Sequence, residues 1–144
     1  MLARVAFASP AEFREVMDRV FGFMSTHPDV GPKLREAKVP QRWEFPDLDM
    51  VVNLTGRAEV EDGHNLRWTW TDPAPWRAEV ELAMSSDVAN RFFQGRENVG
   101  MAVARRRIKA GGNVAKMMTL VPITRPVMEE YRALVEREYP HLVL

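Results

Sequence analysis

The sequence predicts an α+β domain, and three observations carry that assignment. An N-terminal stretch has helical apolar spacing, a middle block repeats apolar residues at every second position, and helical spacing returns in the C-terminal half. The 144 residues suit one domain able to bury a core. With 46% hydrophobic and 28% charged residues, the composition is that of a globular chain and sets aside disordered, collagen-like and coiled-coil classes.

The first helix is expected over residues 9–26. Ser9 and Glu12 have capping-box spacing, Pro10 suits the first turn, and Phe13, Val16, Met17, Val20, Phe21 and Met24 fall on one stripe. Residues 27–46 hold four prolines (Pro28, Pro32, Pro40, Pro46) and read as a connection with a short helical segment near 32–37.

From Leu48 the period becomes two. Leu48, Met50, Val52, Leu54, Ala58 and Val60 share a face, as do Leu66, Trp68 and Trp70, and then Trp76, Ala78, Val80, Leu82 and Met84. Arg67, Thr69, Thr71, Arg77, Glu79 and Glu81 take the opposite faces, so three successive strands with one apolar and one wet face are expected. A three-residue loop, Glu61-Asp62-Gly63, keeps like faces together by setting Ala58 opposite Leu66 and Gly56 opposite Trp68. A two-residue turn at Asp62-Gly63 breaks that register. Asp72-Pro-Ala-Pro75 reads as the next turn.

Beyond Met84, Ser86 is a candidate cap for a helix bearing Val88, Ala89, Phe92 and Phe93 and ending at Gly95. A short helix follows over Asn98–Ala104, then a strand over Arg107–Gly112. Asn113 opens a helix whose Val114, Met117, Met118 and Val121 have i, i+3, i+4, i+7 spacing. Val127, Tyr131, Leu134 and Val135 mark a last helix ending near Pro140.

Charge narrows the function classes. Lys+Arg and Asp+Glu are both 20, for a formal net charge of +0, so no global field steers the chain toward nucleic acid, and no nucleic-acid partner is expected. The charge is nonetheless polarised: residues 44–81 contain nine acids against three arginines, and residues 88–128 contain eight bases against Glu97 alone. Absent cysteines exclude disulfides and thiol chemistry and suit a cytoplasmic location. No apolar run is long enough to span a membrane, and the start, MLARVAFASP, is too short and too soon broken by Pro10 for a signal peptide. The three histidines have no metal-ligand spacing, and hydrolase, dinucleotide and P-loop motifs are missing, so neither metal nor cofactor is expected. Nine Met, seven Phe and four Trp supply large, adaptable apolar groups suited either to a plain core or to a hydrophobic cavity.

The stretch from Met50 to Leu120 resembles the sterol carrier protein 2 family of lipid-binding domains. The matching pieces, in order, are L-R-W-T-W at 66–70, A-E-V-E-L-A-M-S-S-D at 78–87, A-N-R-F-F-Q-G at 89–95, Ala102, R-I-K-A-G-G-N at 107–113 and V-A-K-M-M-T-L at 114–120. The glycine that the family carries between its second helix and the next strand falls on Arg106, and residues 27–46 have no clear counterpart apart from R-W-E-F at 42–45, the candidate first strand.

The resemblance implies a curved, mainly antiparallel sheet of about five strands covered by helices, with an apolar tunnel between the layers. It also implies non-enzymatic binding or transport of a fatty acid, sterol or similar lipid. On that reading Trp68, Trp70 and Leu82 on the strands, Phe92, Phe93 and Val103 on the short helices, and Ile108, Met117, Met118 and Val121 beyond them line the tunnel. Arg105, Arg107 and Lys109 form a basic row for transient contact with an anionic membrane surface. Two other readings stay open: an interaction or regulatory module with a filled core, and an enzyme acting on a hydrophobic substrate through Tyr131, Tyr139 or a carboxylate.

Overall fold

The computed structural model describes residues 5–144; the first four residues, part of the start weighed above as a leader, lie outside the described residues. Helix α1 (Pro10–Thr26) opens as its sequence requires. Ser9 Oγ accepts the Glu12 N–H and Glu12 Oε1 accepts the Ala8 N–H, each at 3.0 Å, which satisfies donors that a helix start leaves open. All six stripe residues, Phe13 to Met24, are buried, each contributing about 1.5–3 kcal/mol by leaving water. Helix α2 (Val30–Ala37) starts earlier than expected because His27 Nδ1 accepts the N–H groups of Asp29 (3.0 Å) and Val30 (3.2 Å).

The sheet has five strands, β1 (Gln41–Phe45), β2 (Met50–Glu61), β3 (His64–Thr69), β4 (Val80–Met84) and β5 (Ile108–Gly112), in the order β3-β2-β1-β4-β5. Every neighbouring pair is antiparallel except β1 and β4, which run parallel. The R-W-E-F segment falls within β1, the middle strand, with Gln41, Trp43 and Phe45 turned inward.

Two expectations about the strands are corrected. The hairpin does turn on Asp62-Gly63 alone, both residues having positive φ (52° and 78°), with Glu61 opposite His64. Leu54 then faces Trp68 and Gly56 faces Leu66, and the face conflict is absorbed by an irregularity in β2 between Gly56 and Glu61. The third expected strand begins at Val80, not Trp76, and does not lie beside β3. Residues 71–79 instead cross the outer face of the sheet, held by Asp72 on Arg42 (2.9 Å) and by the Arg67 guanidinium 4.9 Å from the Trp76 ring centroid. Pro73 and Pro75 have no N–H to offer a ladder, and Trp76 ends on the wet side.

The edge strand β3 is fastened to the end of α1. Ser25, fully buried, accepts the N–H groups of Asn65 (3.0 Å) and Leu66 (3.1 Å) on Oγ, and Asn65 Nδ2 donates to the Ser25 carbonyl at 2.8 Å. With two N–H groups already on Oγ, the serine hydroxyl hydrogen points to His64 Nδ1 at 3.0 Å.

Helix α3 (Ser86–Phe93) is capped by Ser85, whose Oγ accepts the Val88 N–H, and not by Ser86, whose hydroxyl donates to Asp47 at 2.6 Å. Asn98 caps α4 (Val99–Ala104) and Asn113 caps α5 (Val114–Ile123), each through its side-chain oxygen. Helix α6 (Arg125–Glu138) closes the core with Val127, Tyr131, Leu134 and Val135. Beyond it, Asn90 Nδ2 and Gln94 Nε2 both donate to the Leu142 carbonyl (3.0 and 2.7 Å), and Tyr131 donates to Asn90 Oδ1 at 2.5 Å.

The turn from α4 into β5 passes through Arg106 in the left-handed region, φ 59°. This is the position where the resembled family carries glycine, and an ordinary side chain there costs about 1–2 kcal/mol. Beside it, the Glu97 carboxylate is 1% exposed and takes Arg107 at 2.6 Å and Arg91 at 3.0 Å, tying α3 to the start of β5. Burial alone raises that carboxyl's pKa, but the hydrogen bonds from Arg107 and Arg91 outweigh it and hold the group below the usual carboxylate range.

Arg106→Gly should therefore raise stability in urea denaturation by about 0.5–1 kcal/mol, the relieved backbone strain being partly offset by the greater freedom of glycine in the unfolded chain. A β-branched residue such as Val at this position should lower it.

Because the folded pKa of Glu97 is depressed, its contribution is present above the unfolded carboxylate pKa and is lost as pH falls through the folded value. Glu97→Gln should thus cost about 1–3 kcal/mol at pH 7 and much less at pH 3. An equal cost at both pH values would contradict the ion-pair account.

Candidate functional site

An apolar cavity of about 50 Å³ lies between the inner face of the sheet and the short helices. Its floor follows from strand register: Trp43 and Leu82 are opposite one another in the parallel β1–β4 pair, and Met84 and Ile108 in the antiparallel β4–β5 pair. Phe92 from α3, Val99 from α4, and Met117, Leu120 and Val121 from α5 form the roof. Met24 and Leu34 close the end under α1 and α2. No lining residue is charged. The polar groups in the wall are Gln41, the Trp43 indole and Thr124; the indole N–H donates to Gln41 Oε1 at 3.0 Å, and the Thr124 hydroxyl donates to the Val121 carbonyl at 2.8 Å.

Of the ten residues expected to line a tunnel, the structure brings Leu82, Phe92, Ile108, Met117 and Val121 together around this cavity. Trp68 and Trp70 are elsewhere. Both indole N–H groups donate to Asp18 Oδ1 of α1, at 3.0 and 2.8 Å, so these rings pack the sheet against α1. Phe93 is fully buried between Trp43 and Tyr131, with ring centroids 6.1 and 5.7 Å away. Val103 packs on the core from α4 without reaching the cavity. Met118 is corrected outright: it is 41% exposed. The face of α5 that turns inward is Met117, Leu120, Val121 and Thr124, with the same i, i+3, i+4, i+7 spacing as the expected set but three residues out of phase.

The basic row is also rearranged. Arg107 is committed to Glu97, Arg105 caps the C-terminus of α4 in the turn, and Lys109 stands exposed on β5 opposite Ala83. Among the described residues Arg105 and Lys109 form no ion pair. Met101, Val114 and Met118, on the outer sides of α4 and α5, are exposed apolar neighbours in sequence of this basic segment.

The two tyrosines weighed as reactive groups are held in structural bonds. Burial pushes the Tyr131 phenol up from its ordinary value. A hydrogen bond to Glu15, aided by burial, pushes that of Tyr139 up to about 12. Among the described residues no three His, Asp or Glu side chains are grouped to hold a metal ion, and no helix is long and apolar enough to cross a membrane.

Sequence reasoning missed Met24, Leu34, Gln41, Trp43, Met84, Val99, Leu120 and Thr124 as wall residues. Trp43 was within reach, since its alternation with Phe45 marks an inward face of β1. Gln41 carried no such signal, because a glutamine at the start of a strand ordinarily faces water.

No family model matches the chain, and no curated protein matches it. Solved structures do match. A ubiquinone synthesis protein described as UbiJ-SCP2 aligns with 85% of this chain and 96% of its own, at 10% identity and TM-score 0.57. Sterol carrier protein 2 from Yarrowia lipolytica, in its apo form, aligns with 78% of this chain and 89% of its own, at 14% identity and TM-score 0.54. A double mutant of the sec-alkyl sulfatase PisA1 reaches TM-score 0.60 at 17% identity over 74% of this chain, which spans only 16% of that enzyme. The architecture described above is a sterol carrier protein 2-like fold.

Proposed function

We propose that the protein is a non-catalytic binder or carrier of a hydrophobic lipid, a sterol or a fatty-acyl compound, held in the cavity between the sheet and helices α3–α5. The observation that carries this reading is the wall itself: uncharged, almost entirely apolar and located between the layers of a sterol carrier protein 2-like fold. Each methylene taken from water contributes about 0.8 kcal/mol, so an acyl chain binds without covalent chemistry.

At about 50 Å³ the cavity is far below the roughly 300 Å³ at which pockets begin to hold drug-sized ligands, so uptake requires the walls to part. The construction favours it. Met24, Met84 and Met117 are unbranched and adapt their shape. Helix α5 buries only Met117 and Leu120 and exposes Val114 and Met118 on its other side, so moving it outward breaks few contacts.

The ligand is exchanged at an anionic membrane surface. Residues 98–128 contain six bases (Arg105, Arg106, Arg107, Lys109, Lys116, Arg125) and no acid, and the exposed Met101, Val114 and Met118 lie in the same segment. Apolar side chains that enter an interface beside cations attracted to acidic head groups are the usual means of peripheral attachment.

Binding should be visible in tryptophan emission, and Trp43 should report it. Titration of the delipidated protein with a long-chain acyl ester should change emission saturably at micromolar concentration. Trp43→Phe should abolish most of that change, whereas Trp68→Phe and Trp70→Phe should leave it. A flat titration of folded protein would count against the cavity.

Transfer to vesicles containing acidic lipid should slow in the Arg105→Gln, Lys109→Gln double variant and in the parent protein as salt is added. Each cation near such a surface contributes about 1 kcal/mol within a screening length of about 8–10 Å. Equal rates to neutral and acidic vesicles would remove the membrane contact from this reading.

A further inference from the structure

Gln41 is the anomaly of the cavity wall. It is 6% exposed, sits at the first position of β1 and faces inward with Trp43 and Phe45. The indole N–H of Trp43 can only donate, so the 3.0 Å contact between them fixes Gln41 Oε1 toward the ring and turns its amide nitrogen away. That nitrogen has no hydrogen-bond partner among the described residues. Gln41, Leu34 and Leu120 also belong to a second, smaller apolar recess of about 10 Å³, lined further by Leu54 and Leu66. The glutamine thus stands where the two spaces meet, and a chain running from one to the other passes its amide. The amide nitrogen keeps some accessible surface instead of being sealed in the core, so a ligand that covers it must offer an acceptor or leave the donor unmet.

We propose that Gln41 is the polar recognition point of the cavity, and that it selects a lipid bearing a neutral hydrogen-bond acceptor, an ester, ketone or alcohol oxygen. This rests on the lipid-binding reading above and narrows its ligand class. An ionised carboxylate brought to this wall meets no cation, since no lining residue is charged, and a buried charge without a partner is strongly disfavoured. A plain hydrocarbon fills the apolar space but leaves the amide unmet. A neutral oxygen alone satisfies both conditions, while Trp43 holds the amide oriented before the ligand arrives.

The test titrates delipidated protein with methyl oleate, sodium oleate and 1-octadecene, each delivered from the same cyclodextrin carrier. The wild type should bind methyl oleate about tenfold more tightly than 1-octadecene, the effect of one satisfied hydrogen bond in an apolar site, and more tightly than oleate. In Gln41→Leu the preference for the ester over the alkene should disappear. Because that variant leaves the Trp43 N–H without its acceptor and its folding must be checked by thermal melting, a second measurement uses the wild type alone. The side-chain amide resonance of Gln41 should shift with methyl oleate and not with 1-octadecene. Oleate binding as well as its ester, an ester preference that survives Gln41→Leu, or an unmoved amide resonance in the ester complex would each overturn the role of Gln41 while leaving lipid binding intact. Failure of all three probes to bind folded protein would instead overturn the lipid-binding reading, and this inference with it.

Discussion

The parallel pairing of β1 with β4 is the constraint on which the rest of the molecule depends. Antiparallel neighbours can be joined by a short turn, but a parallel partner must be reached by a chain that travels back along the sheet. Here that return contains the β2–β3 hairpin and the 71–79 segment. The consequence is a sheet in two halves, β3 and β2 under α1 and α2 and β4 and β5 under the short helices, with β1 at the seam. The cavity lies at that seam, which is why its floor is made of the pairs Trp43/Leu82 and Met84/Ile108.

Much of this was legible in the sequence, and the failures have identifiable causes. Helix α1 was readable to its cap because Ser9, Pro10 and Glu12 act locally and the stripe from Phe13 to Met24 has one interpretation. The Asn113 cap on α5 was readable for the same reason. The path of residues 71–79 was not, since Trp76 and Ala78 continue the alternation of Val80, Leu82 and Met84 and nothing local reveals that the segment crosses the sheet instead of joining it. The phase of α5 was hidden differently. Val114, Met117, Met118, Leu120 and Val121 leave two apolar faces, and only packing against α2, α6 and β4 decides that Leu120 turns in and Met118 out. Gln41 was invisible because its place in the wall depends on the register of β1 with β4, a long-range fact.

The polarised charge that stood out in the sequence is resolved partly by short ion pairs that staple connections to the scaffold. Arg42 holds Asp72 of the crossing segment, Lys116 at the start of α5 holds Glu79 at the end of that segment, and Glu97 gathers Arg91 and Arg107. The last of these is the most consequential, because its carboxylate is shielded from water and its partners come from α3 in the cavity roof and from the residue that leads into β5 in its floor. The exposed pairs Arg42–Asp72 and Lys116–Glu79 contribute little individually. Their placement matters more than their strength, since each one fixes a segment whose backbone makes few ladder bonds of its own.

The attachment of Ser25 to β3 also bears on solubility. A sheet whose outermost strand presents free N–H and C=O groups invites a second molecule to add its own strand, the route to runaway self-association. By accepting the N–H groups of Asn65 and Leu66, a single buried hydroxyl occupies two of the donors such an intruder needs near the hairpin, and the neighbouring carbonyl engages the Asn65 side chain. At the opposite border Gly112, with φ 72°, turns the chain away from an extended path, and the next N–H, that of Asn113, is taken by the Glu79 carbonyl. The stretch of β3 beside the hairpin is thereby a poor template for a further strand.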